Sequence, residues 1–179
     1  MKPTARSTGA AALAFAVLAS AIALPGCPGY TRGFAMPPGA EGVKTVAVDI
    51  FKNKTLYTDI EFEFTRALQR EICAKTPLKI ARRGNADAVV YGAIESYTKA
   101  VLRESISDEV AKYSIALTVS YEFRRLPSDG KPEKVISSSE KLKRSAEYEV
   151  MSHLTEADAR AEAVRKIARK VVSHMFEKW

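Results

Sequence analysis

The most regular alternation of apolar and polar residues lies between Lys112 and Arg124, in the segment KYSIALTVSYEFR. Because neighbouring side chains of a strand point to opposite faces, this period of two predicts a strand with one buried and one solvent-exposed face. The buried face is predicted to carry Tyr113, Ile115, Leu117, Val119, Tyr121 and Phe123.

Four further segments are predicted strands. Val43–Phe51 alternates in the same way, and residues 86–97, ADAVVYGAIESY, are apolar enough for a central strand. Pro77–Arg83 is a candidate short edge strand, since proline is tolerated at the start of an edge. Lys134–Tyr148 is more polar, which indicates a second edge strand.

Two segments repeat apolar residues at helical spacing. The first is Thr58–Ala74, with Thr58 as the predicted N-cap. The second begins at Thr155, which forms a predicted capping box with Asp158. Its predicted apolar stripe consists of Ala157, Ala161, Val164, Ile167, Ala168, Val171, Met175 and Phe176.

The order of these elements is β-α-β-β-β-β-α. Turns are expected at Asn53–Thr55 and at 127–132, PSDGKP, while the charged segment 98–110 is expected to connect two strands. Two amphipathic helices would then cover one face of a mostly antiparallel or mixed sheet of four to five strands. The predicted fold class is α+β.

An uncharged apolar run at residues 11–24, AALAFAVLASAIAL, follows Lys2 and Arg6. It is shorter than the roughly 20 residues of a spanning helix and is typical of a signal peptide. It leads into LPGC at 24–27, which resembles the lipobox of bacterial lipoproteins, whose cysteine thiol is alkylated by a diacylglycerol. The alternative is an ordinary secreted protein with an incidental cysteine.

The lipobox divides the chain into three parts. We expect residues 1–26 to be a lipoprotein signal peptide and residues 27–42 to comprise the lipidated Cys27 and a tether rich in Pro and Gly. Residues 43–179 would form a single α+β domain. More than one acyl chain on Cys27 would anchor the protein stably to a membrane.

Composition adds little to this picture. The formal net charge of +7 falls to +5 from Cys27 onward, with 26 basic and 21 acidic residues. This excess suits an acidic partner such as lipid phosphate, but it is equally compatible with solubility. A nucleic-acid partner is not expected, because the sequence has no platform of interleaved aromatic and basic residues.

The sequence offers no recognisable catalytic or cofactor motif. It contains no Gly-rich phosphate loop, no GxSxG motif and no metal-ligand spacing among two cysteines and two histidines. Cys73 lies near the C-terminal end of a helix, the wrong end for an activated thiolate, and is expected to be a half-buried structural residue. We therefore expect no enzyme activity, no cofactor and no metal site.

Several phrases occur in the order of a known family. The lipobox cysteine is followed by GYTRG (29–33) and VKTVAVDIFKNKT (43–55), then by ADAVVYGAIESY, EVAKYSIALTVSYEF (109–123) and a closing helix. This ordered set resembles the LptE family of lipopolysaccharide-assembly lipoproteins, over essentially all of the chain from Cys27 to Trp179.

The resemblance implies a partner role without covalent chemistry. Members of the family form a complex with the outer-membrane β-barrel LptD, lie within it as a plug, assist its assembly and help deliver lipopolysaccharide to the outer leaflet. It therefore implies an outer-membrane location, with the domain on the periplasmic side or in the barrel lumen.

Phosphates of lipopolysaccharide could be held by charge-assisted hydrogen bonds from basic side chains near a strand edge. The candidates from local charge are Arg124, Arg125, Lys131, Lys134, Lys141, Lys143 and Arg144. An ordinary solvated edge protected by lysines explains the same residues.

A second hypothesis comes from a different class of lipoprotein. Activators of peptidoglycan synthases also join a tether to a small α/β domain whose first strand reads Val-Ala-Val. Such a protein would contact a cell-wall enzyme. The tether of only about 15 residues favours a partner at the membrane.

Overall fold

The computed structural model describes residues 34, 36–103, 112–127, 132–149 and 155–176, all within the unit Arg32–Trp179. These residues contain two helices and six strands, besides a single 3₁₀ turn at Arg83–Asn85. The elements are β1 (Thr45–Val48), β2 (Lys52–Asn53), α1 (Ile60–Lys75), β3 (Lys79–Ile80), β4 (Ala88–Arg103), β5 (Lys112–Arg125), β6 (Lys134–Glu149) and α2 (Glu156–Phe176).

The strands form one mixed sheet in the order β3-β1-β4-β5-β6, with β2 paired to β4 outside this path. β1 pairs in parallel with β3 and β4, whereas β4, β5 and β6 are antiparallel neighbours. The predicted α+β class is confirmed, as are the central position of β4 and the edge positions of β3 and β6.

The predicted strand number of four to five is wrong, because β2 is a sixth strand. Lys52 and Asn53 pair with Ala93 and Ile94, where the sequence predicts a turn beginning at Asn53. A strand of two residues has no detectable period, so only its pairing with β4 reveals it.

β4 also extends further than predicted, through Arg103. The segment 98–103, predicted as connection, continues the ladder with β5, where Lys99 lies opposite Ile115 and Val101 opposite Tyr113. The ladder shifts register between Val101 and Arg103. Such a shift interrupts the period of two, so the alternation of apolar and polar residues does not reveal this part of the strand.

Both helices pack on one face of the sheet and share its core. On β5 the buried positions alternate as predicted, with Ile115, Leu117 and Val119 wholly inaccessible to solvent. Ile167 and Val171 of α2 are equally buried in the same cluster. Each such side chain stabilises the fold by about 1.5–3 kcal/mol through removal of apolar surface from water.

The start of α2 agrees with the sequence better than the start of α1 does. The capping box is confirmed, because the backbone N–H of Thr155 donates to the Asp158 carboxylate at 2.9 Å and that of Asp158 to the Thr155 hydroxyl at 3.2 Å. The N-cap of α1 is Asp59 in a left-handed conformation (φ 67°) without a side-chain cap. The prediction of Thr58 is therefore wrong.

The predicted apolar stripe of α2 is correct except in its first turns. Ala157 is exposed, whereas Ala159 and Ala163 are buried. Alanine is too weakly apolar to fix the phase of the stripe, so the larger residues that follow determine which side faces the sheet.

Gly92 marks the tightest packing in the centre of the sheet. A Cβ atom there would lie 2.1 Å from the backbone oxygen of Ser120 and 2.6 Å from Cε1 of Phe51. Only glycine allows the ring of Phe51 to pack this closely on the β4–β5 ladder.

Candidate functional site

The guanidinium of Arg124 forms ion pairs with neighbouring carboxylates. It donates to Glu133 at 2.9 Å, pairs with Glu122 on the same strand, and lies 5.6 Å from the centre of the Tyr91 ring. Hydrogen bonds to Glu133 and then Glu122 raise its pKa. The positive charge of this predicted contact residue is therefore already balanced within the fold.

Arg125 and Lys134 lie opposite each other on β5 and β6. Nη1 of the half-buried Arg125 is 3.5 Å from the backbone oxygen of Gly39. The pKa of Glu41 is lowered, first by hydrogen bonds from the Gly39 and Glu41 backbone N–H groups and then by the charges of Lys134 and Arg125. These two cations thus face the segment that leads into β1. Lys131 lies outside the described residues.

Lys143 lies on the face of the sheet that the helices leave open. It pairs with Thr118, whose neighbours Leu117 and Val119 point into the core on the other face. Lys141 is close to Glu95, whose pKa is lowered mainly by hydrogen bonds from Lys54 and Ser120 and to a smaller extent by the charge of Lys141. The open face therefore carries both signs of charge.

Arg144 points the other way, toward α2. It pairs with Leu117, a core position, and so lies on the helix-covered face at the outer edge of the sheet. There it lines a groove of about 360 Å³ between β6 and α2, which we call the β6–α2 groove. Its lining residues are Arg144, Lys166, Arg169, Lys170 and Ser173.

The helical part of this groove comes from one stripe of α2. Lys166, Arg169, Lys170 and Ser173 follow one another at spacings of three and four residues, which places them on the same side of the helix. The opposite side is held against β5 and β6 by Ile167, Val171 and Met175. The same amphipathic pattern that builds the core therefore fixes the cations along the rim of the sheet.

No carboxylate is among the lining residues that the structure describes for this groove. The nearest ion pairs are long: Lys166 Nζ is 3.9 Å from Glu162, and Arg169 Nε is 3.9 Å from Glu71. Glu162 is held primarily by Arg165, whose hydrogen bonds are the main cause of its lowered pKa. Nη1 of Arg144 donates to a backbone oxygen, that of Lys143.

Sequence reasoning found only Arg144 among the groove residues. The run of cations in VRKIARKVV is visible in the sequence, but on a helix it is indistinguishable from a solvated face. Whether these cations lie next to Arg144 depends on the register of β6 against β5, and the polar sequence of β6 does not specify that register.

Cys73 and His174 belong to residue types that often act in catalysis, and the structure shows the surroundings of both. Cys73 is exposed, contrary to the half-buried position predicted, because it falls beside the buried Ile72 on the outer side of α1. His174 Nδ1 lies 2.6 Å from the hydroxyl of Tyr121, which also contacts Ser137 at 2.8 Å. The histidine thereby ties α2 to β5 and β6.

Two further properties bear on function. In the described part of the chain, no three His, Cys, Asp or Glu side chains are grouped as a metal ion would require. Neither described helix is both long and apolar enough to cross a membrane.

The family to which this fold belongs is given by comparison of the sequence with family models. The model described as LptE, lipopolysaccharide-assembly, matches residues 43–178. The chain belongs to the LptE family. It is thus a member of a family of lipoproteins that act in lipopolysaccharide assembly and are not enzymes. The match spans the domain from β1 through α2.

The solved structures to which this chain is similar are distant from it in sequence. Hypothetical protein CT253 from Chlamydia trachomatis is 12% identical, with 74% of this chain and 98% of that chain covered and a TM-score of 0.49. The PelC dodecamer from Paraburkholderia phytofirmans is 16% identical, with 75% and 93% covered and a TM-score of 0.45. Rare lipoprotein B from Shewanella oneidensis is 15% identical, with 74% and 90% covered and a TM-score of 0.40. A search of curated proteins gives no match.

Proposed function

We propose that this protein forms a complex with an LptD-type β-barrel and helps to deliver lipopolysaccharide to the outer leaflet of the outer membrane. In the same complex it would assist assembly of the barrel. The observation that carries this proposal is the family match over residues 43–178, which includes every strand and both helices of the domain.

The proposal places the protein at the outer membrane through a lipid on Cys27. The LPGC motif at 24–27 supports this anchor, and residues 1–26 would be removed as the signal peptide. A tether of residues 27–42 would leave the domain 43–179 near the membrane, on the periplasmic side or within the barrel lumen.

Phosphates of lipopolysaccharide would contact basic side chains at the β6 edge. Four of the seven predicted candidates, Lys134, Lys141, Lys143 and Arg144 of β6, have exposed side chains whose charged groups lie within 4 Å of no described carboxylate. Arg124, by contrast, would have to leave two carboxylates before it could bind a phosphate. The β6 residues are therefore the better proposed contacts.

The direct test is to isolate the tagged, detergent-solubilised protein from its own membranes and to identify what is bound by mass spectrometry. An unrelated tagged lipoprotein from the same membranes is the control. We expect a large β-barrel in near-equal amount with this protein and none with the control. Recovery of a peptidoglycan synthase without a barrel would refute the proposal in favour of the second hypothesis.

A further inference from the structure

We propose that the β6–α2 groove is a phosphate-binding site. Its ligand would be a phosphate group carried by a lipid headgroup or free in solution. As a headgroup site it rests on the proposed function and deepens it, because it assigns the contact to Lys166 and Arg169 of α2 together with Arg144 of β6.

Cations from two different elements converge on the groove. Arg144 projects from the last strand, while Lys166 and Arg169 project from the helix that crosses the same face. On an ordinary solvated helix face the cations diverge into water. Here Arg144 of the sheet lines the side of the groove opposite the cations of α2. Three cations therefore surround one volume.

The positive charges of Arg144, Lys166 and Arg169 are only weakly balanced by described carboxylates. The two ion pairs at the groove rim are at 3.9 Å, beyond hydrogen-bond distance, so most N–H groups of Lys166 and Arg169 are not donated to a carboxylate. Arg144 uses one N–H on a backbone oxygen and retains the others. Such donors are available for an incoming anion.

The donors of the groove suit a phosphate group in particular. A phosphomonoester carries about 1.5–2 negative charges and three acceptor oxygens, and arginine can bind it through two parallel hydrogen bonds. The hydroxyl of Ser173 adds a neutral donor at the same wall. The volume of about 360 Å³ is within the range of small-molecule sites and has room for a phosphate with an attached sugar.

The site is tested with two variants that lose the same charge. The groove variant combines Arg144→Gln, Lys166→Gln and Arg169→Gln. The control combines Lys44→Gln, Lys79→Gln and Arg82→Gln, three exposed residues near the opposite edge, on or beside β1 and β3. All six side chains are exposed, so both variants should fold, and thermal unfolding followed by circular dichroism checks this. If the groove variant does not fold, Lys166→Gln and Arg169→Gln are measured singly.

Two probes are titrated into the full chain in detergent at about 0.15 M ionic strength, where exposed charges more than about 8 Å apart are largely screened. One is inorganic phosphate, and the other is bisphosphorylated lipid A, with dephosphorylated lipid A for comparison. We expect the groove variant to bind the phosphorylated probe at least about tenfold more weakly than the wild type, the loss equivalent to one charge-assisted hydrogen bond. The control should remain within about twofold, because surface charge alone contributes little.

The two probes distinguish the sources of the phosphate. Binding of lipid A without binding of inorganic phosphate identifies a headgroup site, and competition between the two identifies a site for the phosphate group itself. Equal losses in the groove and control variants would overturn the proposal, as would unchanged binding in the groove variant. Barrel capture is a separate measurement, so a protein that binds phosphate but captures no barrel would refute the partnership and leave the groove site intact.

Discussion

Removal of one carboxylate, in the variant Asp87→Ala, should detach the start of β1 from the start of β4. Oδ2 of Asp87 accepts hydrogen bonds from the backbone N–H groups of Lys44 and Thr45 and from the Thr45 hydroxyl, each at 2.9 Å. In return, the Thr45 hydroxyl accepts the backbone N–H of Asp87 at 3.0 Å. The three hydrogen bonds to this single oxygen hold two parallel strands in register.

The cost follows from these contacts. Hydrogen bonds to a charged group contribute about 1.5–3 kcal/mol each when buried, but Asp87 is only half-buried, so water can replace part of what is lost. We expect Asp87→Ala to lower the free energy of unfolding by about 2–3 kcal/mol in total at neutral pH. For a domain of this size that corresponds to a fall in Tm of about 5–10 °C.

The cost should also depend on pH. The hydrogen bonds from Lys44 and Thr45 lower the pKa of Asp87 below its ordinary value of 3.8 in the folded state. A lowered folded-state pKa contributes stability that is present above the ordinary value and is lost as pH falls through the folded-state pKa. The difference between wild type and Asp87→Ala should therefore be full at pH 7 and shrink as the pH falls below 3.8.

The assay is urea unfolding of the wild type and Asp87→Ala at neutral and at acidic pH, followed by circular dichroism. Glu147→Ala is the control, because Glu147 makes one exposed ion pair, with Lys112 at 2.9 Å, and such pairs contribute little. A cost of less than about 0.5 kcal/mol at pH 7, the scatter of ordinary surface substitutions, would refute this account of Asp87. A cost that is the same at both pH values would refute the role of its charge.

Three other substitutions give sharp expectations. Gly92→Ala should destabilise the domain by about 3 kcal/mol, because the new methyl group would overlap the backbone of β5; unchanged urea unfolding would show that the sheet can relax there. Tyr97→Phe should leave stability unchanged or raise it, because burial raises the pKa of Tyr97 to about 12 and its hydroxyl has no hydrogen-bond partner among the described residues; a clear loss in thermal unfolding would reveal a partner. Cys27→Ser should abolish lipid attachment, so the mass of the protein measured by mass spectrometry would lack the acyl chains; a chain that stays lipid-modified would disprove the role of Cys27.

The large elements of the fold were predictable because each carries a period that packing then uses. From Ile115 to Phe123 in β5, the predicted alternation matches the alternation of burial residue by residue, whereas Tyr113 is only half-buried. The capping box at Thr155 fixes the start of α2, since both of its hydrogen bonds are local in sequence. Local signals of this kind do not depend on the tertiary structure.

The features that were missed depend on contacts between distant segments. β2 exists only because Lys52 and Asn53 pair with Ala93 and Ile94 of β4. The β6–α2 groove has the same origin. Arg144 and Lys143 are neighbours in sequence, but the ladder with β5 directs one to α2 and the other to the open face.

The central claim, a role in delivering lipopolysaccharide to the outer leaflet, is tested most directly by depleting the protein in its own bacterium. The measurement is the fraction of newly made lipopolysaccharide that becomes accessible at the cell surface, with the rate of peptidoglycan synthesis followed in parallel. We predict that surface lipopolysaccharide falls before peptidoglycan synthesis changes, and that the wild-type chain restores it. Normal surface lipopolysaccharide together with an early fall in peptidoglycan synthesis would contradict the account.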